Sequence, residues 1–300
     1  MKYLAYHATP VQEVQHPKLQ SKGVRLLVKR EDLNHPTVSG NKWWKLKYNL
    51  LRAQELETDT VLTFGGAYSN HICATAAAAA DLGLKSIGII RGEASTPLNP
   101  TLSFSREKGM NLHFVSRSAY TSKNDPAFVE ALRAQFGDFY LIPEGGTNEL
   151  ALKGVSEFYE EIKDIPFSKV FLPVGTGGTI AGLVAGSKGS ADITGVVVLK
   201  NGNFMFDEIN DLLRGHGTKP GQFDLITDCD FGGYAKTTPE LIDFIRDIAK
   251  NCQLPLDHVY TAKMLFAIFR DVESGKIPAG STILAIHTGG LQGSGYFRES

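Results

Sequence analysis

Short runs rich in β-branched residues alternate with helix-forming stretches along most of the chain, and this alternation constrains the fold more than any other feature. VLTFGG (61–66), SIGIIRG (86–92), NLHFVSR (111–117) and FYLIPEGG (139–146) read as strands, while 69–83, 99–109 and 125–137 are helical in composition and each close on glycine. A second series has strands at KVFLPVG (169–175), ITGVVVL (193–199), FDLIT (223–227) and STILAIHTGG (281–290). Its helices fall at 149–164, 179–188, 207–214, 239–252 and 261–274. Strands linked through helices pair in parallel, so the expected class is α/β with two open twisted, mainly parallel sheets flanked by helices. At 300 residues the chain is long enough for about two domains. PEGGTN (143–148) is the best hinge, and a matching break lies near 37–41. These breaks put a smaller α/β lobe at 41–145 inside a larger one made of 1–40 and 146–300.

Charge and cysteine content exclude several classes. With 31 Lys and Arg against 32 Asp and Glu the formal charge is −1, which gives no electrostatic footprint for nucleic acid or an acidic membrane. The three cysteines, Cys73, Cys229 and Cys252, are far apart and form no CxxC pair, which argues against a disulfide framework and a zinc site. MKYLAYHATP at the start carries no sustained apolar core, and no long apolar run follows, so the expectation is a cytoplasmic, untargeted, soluble protein. The alanine run 76–80 reads as a tightly packed helix.

Three glycine-rich loops follow strands. PVGTGGT (173–179) joins an apolar strand to a helix, an arrangement that offers unpaired N–H groups and a helix dipole to an anion. A nucleoside-triphosphate loop would need a lysine after the glycine pair. A dinucleotide fingerprint would need glycine where Ile180 stands and an acid near Lys200. A small phosphate or a plain tight turn remains. In GGAYSN (65–70) Ser69 is placed as a helix N-cap and Asn70 in the first turn, where its amide can serve backbone or ligand. HTGGLQG (287–293) ends the last strand at the sheet edge where open α/β sheets bind ligands.

Lys42 lies in VSGNKWWKLKYNL, just after a Gly-Asn turn. With REDLN (30–34), GNKWWKL (40–46), GGAYSNH (65–71), PVGTGGTIAG (173–182), VYTAK (259–263) and HTGGLQG, it stands in the order and spacing of one family. From about residue 8 to residue 293 the chain resembles the 1-aminocyclopropane-1-carboxylate deaminase and D-cysteine desulfhydrase family, enzymes of pyridoxal 5'-phosphate with the tryptophan-synthase β-type fold.

The resemblance implies that the cofactor sits between the two lobes, that Lys42 is the Schiff-base lysine, and that Lys45, one turn on, is a decoy. It implies that Asn70 bonds the pyridoxal phenolic oxygen and that Ser69 sits near the substrate carboxylate or the moving proton. Gly175, Thr176, Gly177, Gly178 and Thr179 match the phosphate loop. Tyr260 matches a tyrosine beside the ring, and Tyr234, in DFGGYAKTTPE, looks like a second active-site tyrosine. Thr261 and Thr288 remain as alternatives for the residue facing the pyridine nitrogen. Either is a neutral hydroxyl, which suits elimination better than transamination. A homodimer is a further implication.

The deaminase branch has a glutamate directly after the tyrosine of the VY motif, whereas this chain has Thr261. That favours D-cysteine desulfhydrase-like α,β-elimination to pyruvate, ammonia and sulfide, with ring opening of the cyclopropane substrate as the alternative. A catalytically silent cofactor or amino-acid binder is the alternative from another class. Trp43, Trp44 and Cys73 depart from the usual pattern, and either helix packing or substrate contact accounts for them. His71 and His287 flank the mapped loops, as cofactor contacts or as loop caps. The other histidines form no metal-ligand pattern.

Overall fold

The computed structural model describes residues 4–93 and 97–293. Its strands are β1 (Val11–Glu13), β2 (Arg25–Lys29), β3 (Thr60–Gly66), β4 (Lys85–Arg91), β5 (Met110–Val115), β6 (Tyr140–Ile142), β7 (Lys169–Val174), β8 (Ile193–Val197), β9 (Asp224–Ile226) and β10 (Thr282–Ile286). They form a six-stranded sheet in the order β1-β2-β10-β7-β8-β9 and a four-stranded sheet in the order β5-β4-β3-β6. Every pairing is parallel except the antiparallel β1–β2 edge. The chain is therefore the α/β protein that the alternation predicts.

The helices are α1 (Pro17–Ser21), α2 (Asn41–Glu55), α3 (Asn70–Leu82), α4 (Pro100–Glu107), α5 (Arg117–Tyr120), α6 (Pro126–Phe136), α7 (Glu149–Phe158), α8 (Gly178–Ser187), α9 (Met205–Gly215), α10 (Pro239–Cys252) and α11 (Thr261–Glu273). Three differences from the sequence reading concern the ends of β6 and α7 and the first two strands. β6 stops at Ile142 because Pro143 lacks a donor and Gly145 and Gly146 turn into positive φ at 67° and 69°. α7 ends at Phe158 and tightens into a 3-10 turn over Tyr159–Glu161. β1 and β2 were not anticipated: β1 has only three residues, and RLLVK in β2 is not closed by a glycine.

One core cluster joins the sheets. Leu46 and Leu50 of α2, Ala77 to Ala79 of α3, Val155 and Phe158 of α7 and Leu183 of α8 are all buried in it. The alanine run packs as expected, with Ala76, Ala77, Ala78 and Ala79 fully buried. α2 and α7 cross at a glycine: a Cβ on Gly154 would lie 2.0 Å from the Trp44 carbonyl oxygen. The paired indoles belong to this packing. Trp43 Nε1 donates to the Ala5 carbonyl at 2.8 Å and Trp44 Nε1 to Glu31 Oε2 at 2.7 Å, with the two rings edge to face at 4.8 Å.

Overpacking so close a crossing costs about 1–3 kcal/mol. Gly154→Ala is expected to lower stability by that amount in urea unfolding without a change in m, and an unchanged midpoint would show that the helices do not cross this tightly.

Candidate active site

The N-terminal REDLN segment builds the turn that launches α2. Asn34 clamps Gly40 from both sides: its Oδ1 accepts from Gly40 N at 2.9 Å and its Nδ2 donates to Gly40 O at 3.0 Å. Glu31 O accepts from Gly40 N at 2.9 Å. The Glu31 carboxylate accepts from Thr9 Oγ1 at 2.5 Å and Asn34 Nδ2 at 2.9 Å, besides Trp44. Gly40 sits at φ 73°, and a Cβ there would lie 2.0 Å from the Thr288 carbonyl oxygen. This approach docks the first turn of α2, with Lys42, against the end of β10.

The carboxyl ends of the strands enclose a cavity of about 280 Å³. Lys42, Ser69, Asn70, Gly175, Thr176, Gly177, Thr179, Tyr234, Tyr260 and Thr288 all line it. Gly178 and Thr261 do not. Lys42 Nζ donates to the Gly145 carbonyl at 3.3 Å, and desolvation lowers its pKa to about 8. Lys45 also reaches the cavity. Its Nζ donates to Thr147 Oγ1 at 2.7 Å and to Thr176 Oγ1 at 3.4 Å, and burial followed by the charge of Lys42 pushes its pKa well below the usual lysine range. It is no decoy in position, because a Cβ on Gly178 would lie 2.9 Å from its Nζ.

The loop before α8 gathers further donors. Gly177 caps that helix at φ 75°, leaving its first N–H groups open to the cavity. Thr147 and Thr176 share a hydrogen bond at 2.7 Å, and Asn41 Nδ2 donates to Thr179 Oγ1 at 2.7 Å. Thr147 and Asn41 were not singled out in the sequence. Their signal was position alone, beside the hinge and beside Lys42.

Ser69 is the N-cap of α3, where its Oγ accepts from Ile72 N at 3.3 Å and its own hydrogen stays available. Asn70 Oδ1 accepts from Gln292 Nε2 at 2.6 Å, which leaves the Asn70 amide hydrogens free to donate. Of the two threonine alternatives, Thr288 lines the cavity. Thr261 is fully buried at the start of α11, where its hydroxyl donates to Asp257 Oδ1 at 2.7 Å. Asp257 also caps Val259, Tyr260 and Thr261 N–H groups, at 2.9, 2.8 and 2.8 Å.

Tyr234 and Tyr260 meet edge to face at 6.0 Å, and burial raises the pKa of both hydroxyls. The turn before Tyr234 is held from α11 by Lys263, whose Nζ donates to the carbonyls of Asp230 and Gly233 at 2.7 and 2.8 Å. Tyr260 packs on the glycine loop, since a Cβ on Gly175 would lie 3.2 Å from its ring. His287 is a loop cap: its Nε2 bonds Pro255 O at 2.8 Å, and it lies outside the cavity. Cys73 is buried, and desolvation pushes its thiol up to about 12.

Lysines stripped of water beside a glycine loop at a helix N-terminus make a site for a phosphorylated carbonyl compound, and the comparisons agree. The profile of the family described as pyridoxal-phosphate dependent enzyme matches residues 3–289. The chain belongs to this family. It is 32% identical to the Arabidopsis thaliana bifunctional D-cysteine desulfhydrase/1-aminocyclopropane-1-carboxylate deaminase, mitochondrial, over 97% of this chain and 78% of that protein. It is 33% identical to a putative 1-aminocyclopropane-1-carboxylate deaminase of Thermotoga maritima, over 97% of this chain and 96% of the other. A crystal structure of an ACC deaminase homologue superposes with a TM-score of 0.86 at 30% identity, covering 98% of this chain and 93% of that one.

The cofactor is pyridoxal 5'-phosphate, and the residues present fit it. A Cβ at Gly178 would fill the space beside Lys45 and Thr147, so bare backbone is needed where a phosphate would approach. Among the described residues no helix is long and apolar enough to cross a membrane, and no cluster of His, Cys, Asp or Glu is placed to hold a metal.

Because its pKa is lowered to about 8, the Lys42 amine of this family member is neutral above that pH and charged below it. In cofactor-free protein its acylation rate is therefore expected to climb as pH rises through about 8. A midpoint near the ordinary lysine value would show that the amine is solvated.

Proposed function

We propose that the protein catalyses α,β-elimination from a small D-amino acid carrying a thiol or similar β-leaving group, giving pyruvate, ammonia and sulfide from D-cysteine. Ring opening of 1-aminocyclopropane-1-carboxylate is the second reading, and the curated relatives carry both names. One observation carries the preference: the position after Tyr260 holds no carboxylate but Thr261, whose hydroxyl is committed to Asp257. Thr288, a neutral hydroxyl lining the cavity, would then be the residue to face the cofactor ring nitrogen.

When bound, the pyridoxal ring supplies an electron sink for the bond broken at Cα. The rest falls to this chain. Lys42 would hold the cofactor covalently, and as the free amine it would act as the base at Cα, since burial has brought its pKa to about 8. Tyr260, pushed well above its ordinary value, stays protonated and donates to the leaving group, with Tyr234 packed against it. The open N–H groups at the start of α3, with the Ser69 hydroxyl, bind the substrate carboxylate. Asn70 would donate to the phenolic oxygen, and Gly175 to Thr179, with Thr147 and Lys45, would hold the phosphate. Residues 41–145 act as the smaller lobe, closing on the larger one formed by 1–40 and 146–300. A cytoplasmic homodimer completes the reading.

Two lysines at one cavity make the test specific. Borohydride trapping followed by peptide mapping is expected to label Lys42, and label on Lys45 would overturn the assignment. Offered D-cysteine, L-cysteine, D-serine and 1-aminocyclopropane-1-carboxylate, the enzyme is expected to release pyruvate from D-cysteine fastest. Release of 2-oxobutyrate from the cyclopropane substrate as the faster reaction reverses the choice, and trapping without turnover of any substrate points to a silent binder.

A further inference from the structure

His71 lines the cavity and has no part in the scheme above. Its tautomer follows from its partners. The Thr63 hydroxyl donates its one hydrogen to the Ile142 carbonyl at 2.8 Å, so the 2.8 Å contact between Thr63 Oγ1 and His71 Nε2 requires a hydrogen on Nε2. Burial, and then the charges of Lys42 and Lys45, hold the ring neutral, its pKa well below the usual histidine range. The Pro143 carbonyl, the smallest of these influences, acts on the ring in the opposite sense, but it stands outside hydrogen-bonding geometry with Nδ1. A neutral ring protonated at Nε2 has a bare lone pair on Nδ1.

That lone pair has no partner among the described residues, on a side chain only 1% exposed. A buried polar atom left unpaired is costly and rare enough to imply an absent donor. The backbone indicates which donor. Lys42 Nζ rests on the Gly145 carbonyl at 3.3 Å, a long contact, and at the next residue a Cβ on Gly146 would lie 3.3 Å from His71 Nδ1. The lysine amine and the bare nitrogen thus flank one glycine pair.

We propose that His71 is the positioning residue for Lys42, its Nδ1 accepting a hydrogen from the lysine ammonium whenever that amine is free of covalent attachment. The inference rests on Lys42 as the base proposed above. A lysine that takes a proton from Cα becomes a cation inside a desolvated cavity. The nearest other lysine, Lys45, repels it, and Arg91 at the cavity wall is also a cation. Glu144 lines the cavity but is engaged by Tyr120 at 2.8 Å and Lys123 at 3.4 Å. The neutral imidazole gives the ammonium an acceptor without adding a charge, and Thr63 and Ile142 hold the ring in the tautomer that can do so.

Two substitutions separate this role from a structural one. His71→Asn puts an amide oxygen about where Nδ1 stands, whereas His71→Gln keeps a donor to Thr63 and loses the acceptor. Full-length protein freed of cofactor is acylated across a pH series, and Lys42 modification is read by mass spectrometry. Losing an acceptor to the charged form is expected to lower the Lys42 midpoint by about one pH unit in the glutamine variant. The asparagine variant is expected to stay near the parent. Equal shifts in the two variants, or none in the glutamine variant, would overturn the proposal. So would nitrogen chemical shifts from parent His71 that place the proton on Nδ1, a measurement needing no variant. Failure of the Lys42 assignment itself would appear separately, as label on another lysine in the trapping experiment.

Discussion

The site depends on one backbone contact, the approach of Gly40 to the Thr288 carbonyl, where any side chain at residue 40 would collide. Through it the start of α2 is fixed to the end of β10, and Lys42 arrives at the rim of the six-stranded sheet. The REDLN segment serves this contact. Asn34 grips both polar groups of Gly40, and Glu31 ties that clamp to Thr9 and Trp44. The carboxylate is nearly fully buried, and burial raises its pKa, a cost offset by three neutral donors and by Lys29 at 3.9 Å. Residues far from the cavity thus decide the aim of Lys42.

A second constraint is electrostatic. Lys42, Lys45 and His71 crowd one dry cavity, and burial lowers the pKa of each, so the pocket by itself favours neutral amines. A phosphate dianion bound at the α8 loop would reverse this for Lys45, the lysine hydrogen-bonded to Thr147 and Thr176 beside that loop, more than for Lys42 at Gly145. On the proposed function, two lysines one helical turn apart would thereby take different work: one charged to hold an anion, the other near neutral as nucleophile and base.

The parallel sheets were legible in the sequence because each crossover carries its own strand, turn and helix pattern. Ser69, Asn70, Gly175 to Thr179 and Thr288 were legible for the same reason, since each group follows a strand whose end is marked by glycine. What escaped was non-local. β2 is a strand because β10 pairs with it from the far end of the chain, and β1 is one because it pairs with β2. Lys45 looked idle because Thr147 and Thr176, which give it a role, lie about a hundred residues away. The tryptophan pair could be read as helix packing or as a substrate contact until Ala5 and Glu31 supplied its partners.

Thr261 shows how a fold can absorb a residue that sequence comparison singles out. Its hydroxyl both accepts from Asp257 N and donates to the Asp257 carboxylate, closing the first turn of α11 beneath Tyr260. A side chain spent in this way cannot also face a ligand. Its effect on chemistry is indirect: it fixes Asp257, which caps Tyr260 N and so helps set where that phenol stands. On the reaction proposed here, the absence of a carboxylate at this position matters less for what Thr261 does than for leaving Tyr260, with its raised pKa, as the proton donor on that wall of the cavity. A donor held protonated by burial suits the departure of a thiolate, which needs a proton as its bond breaks.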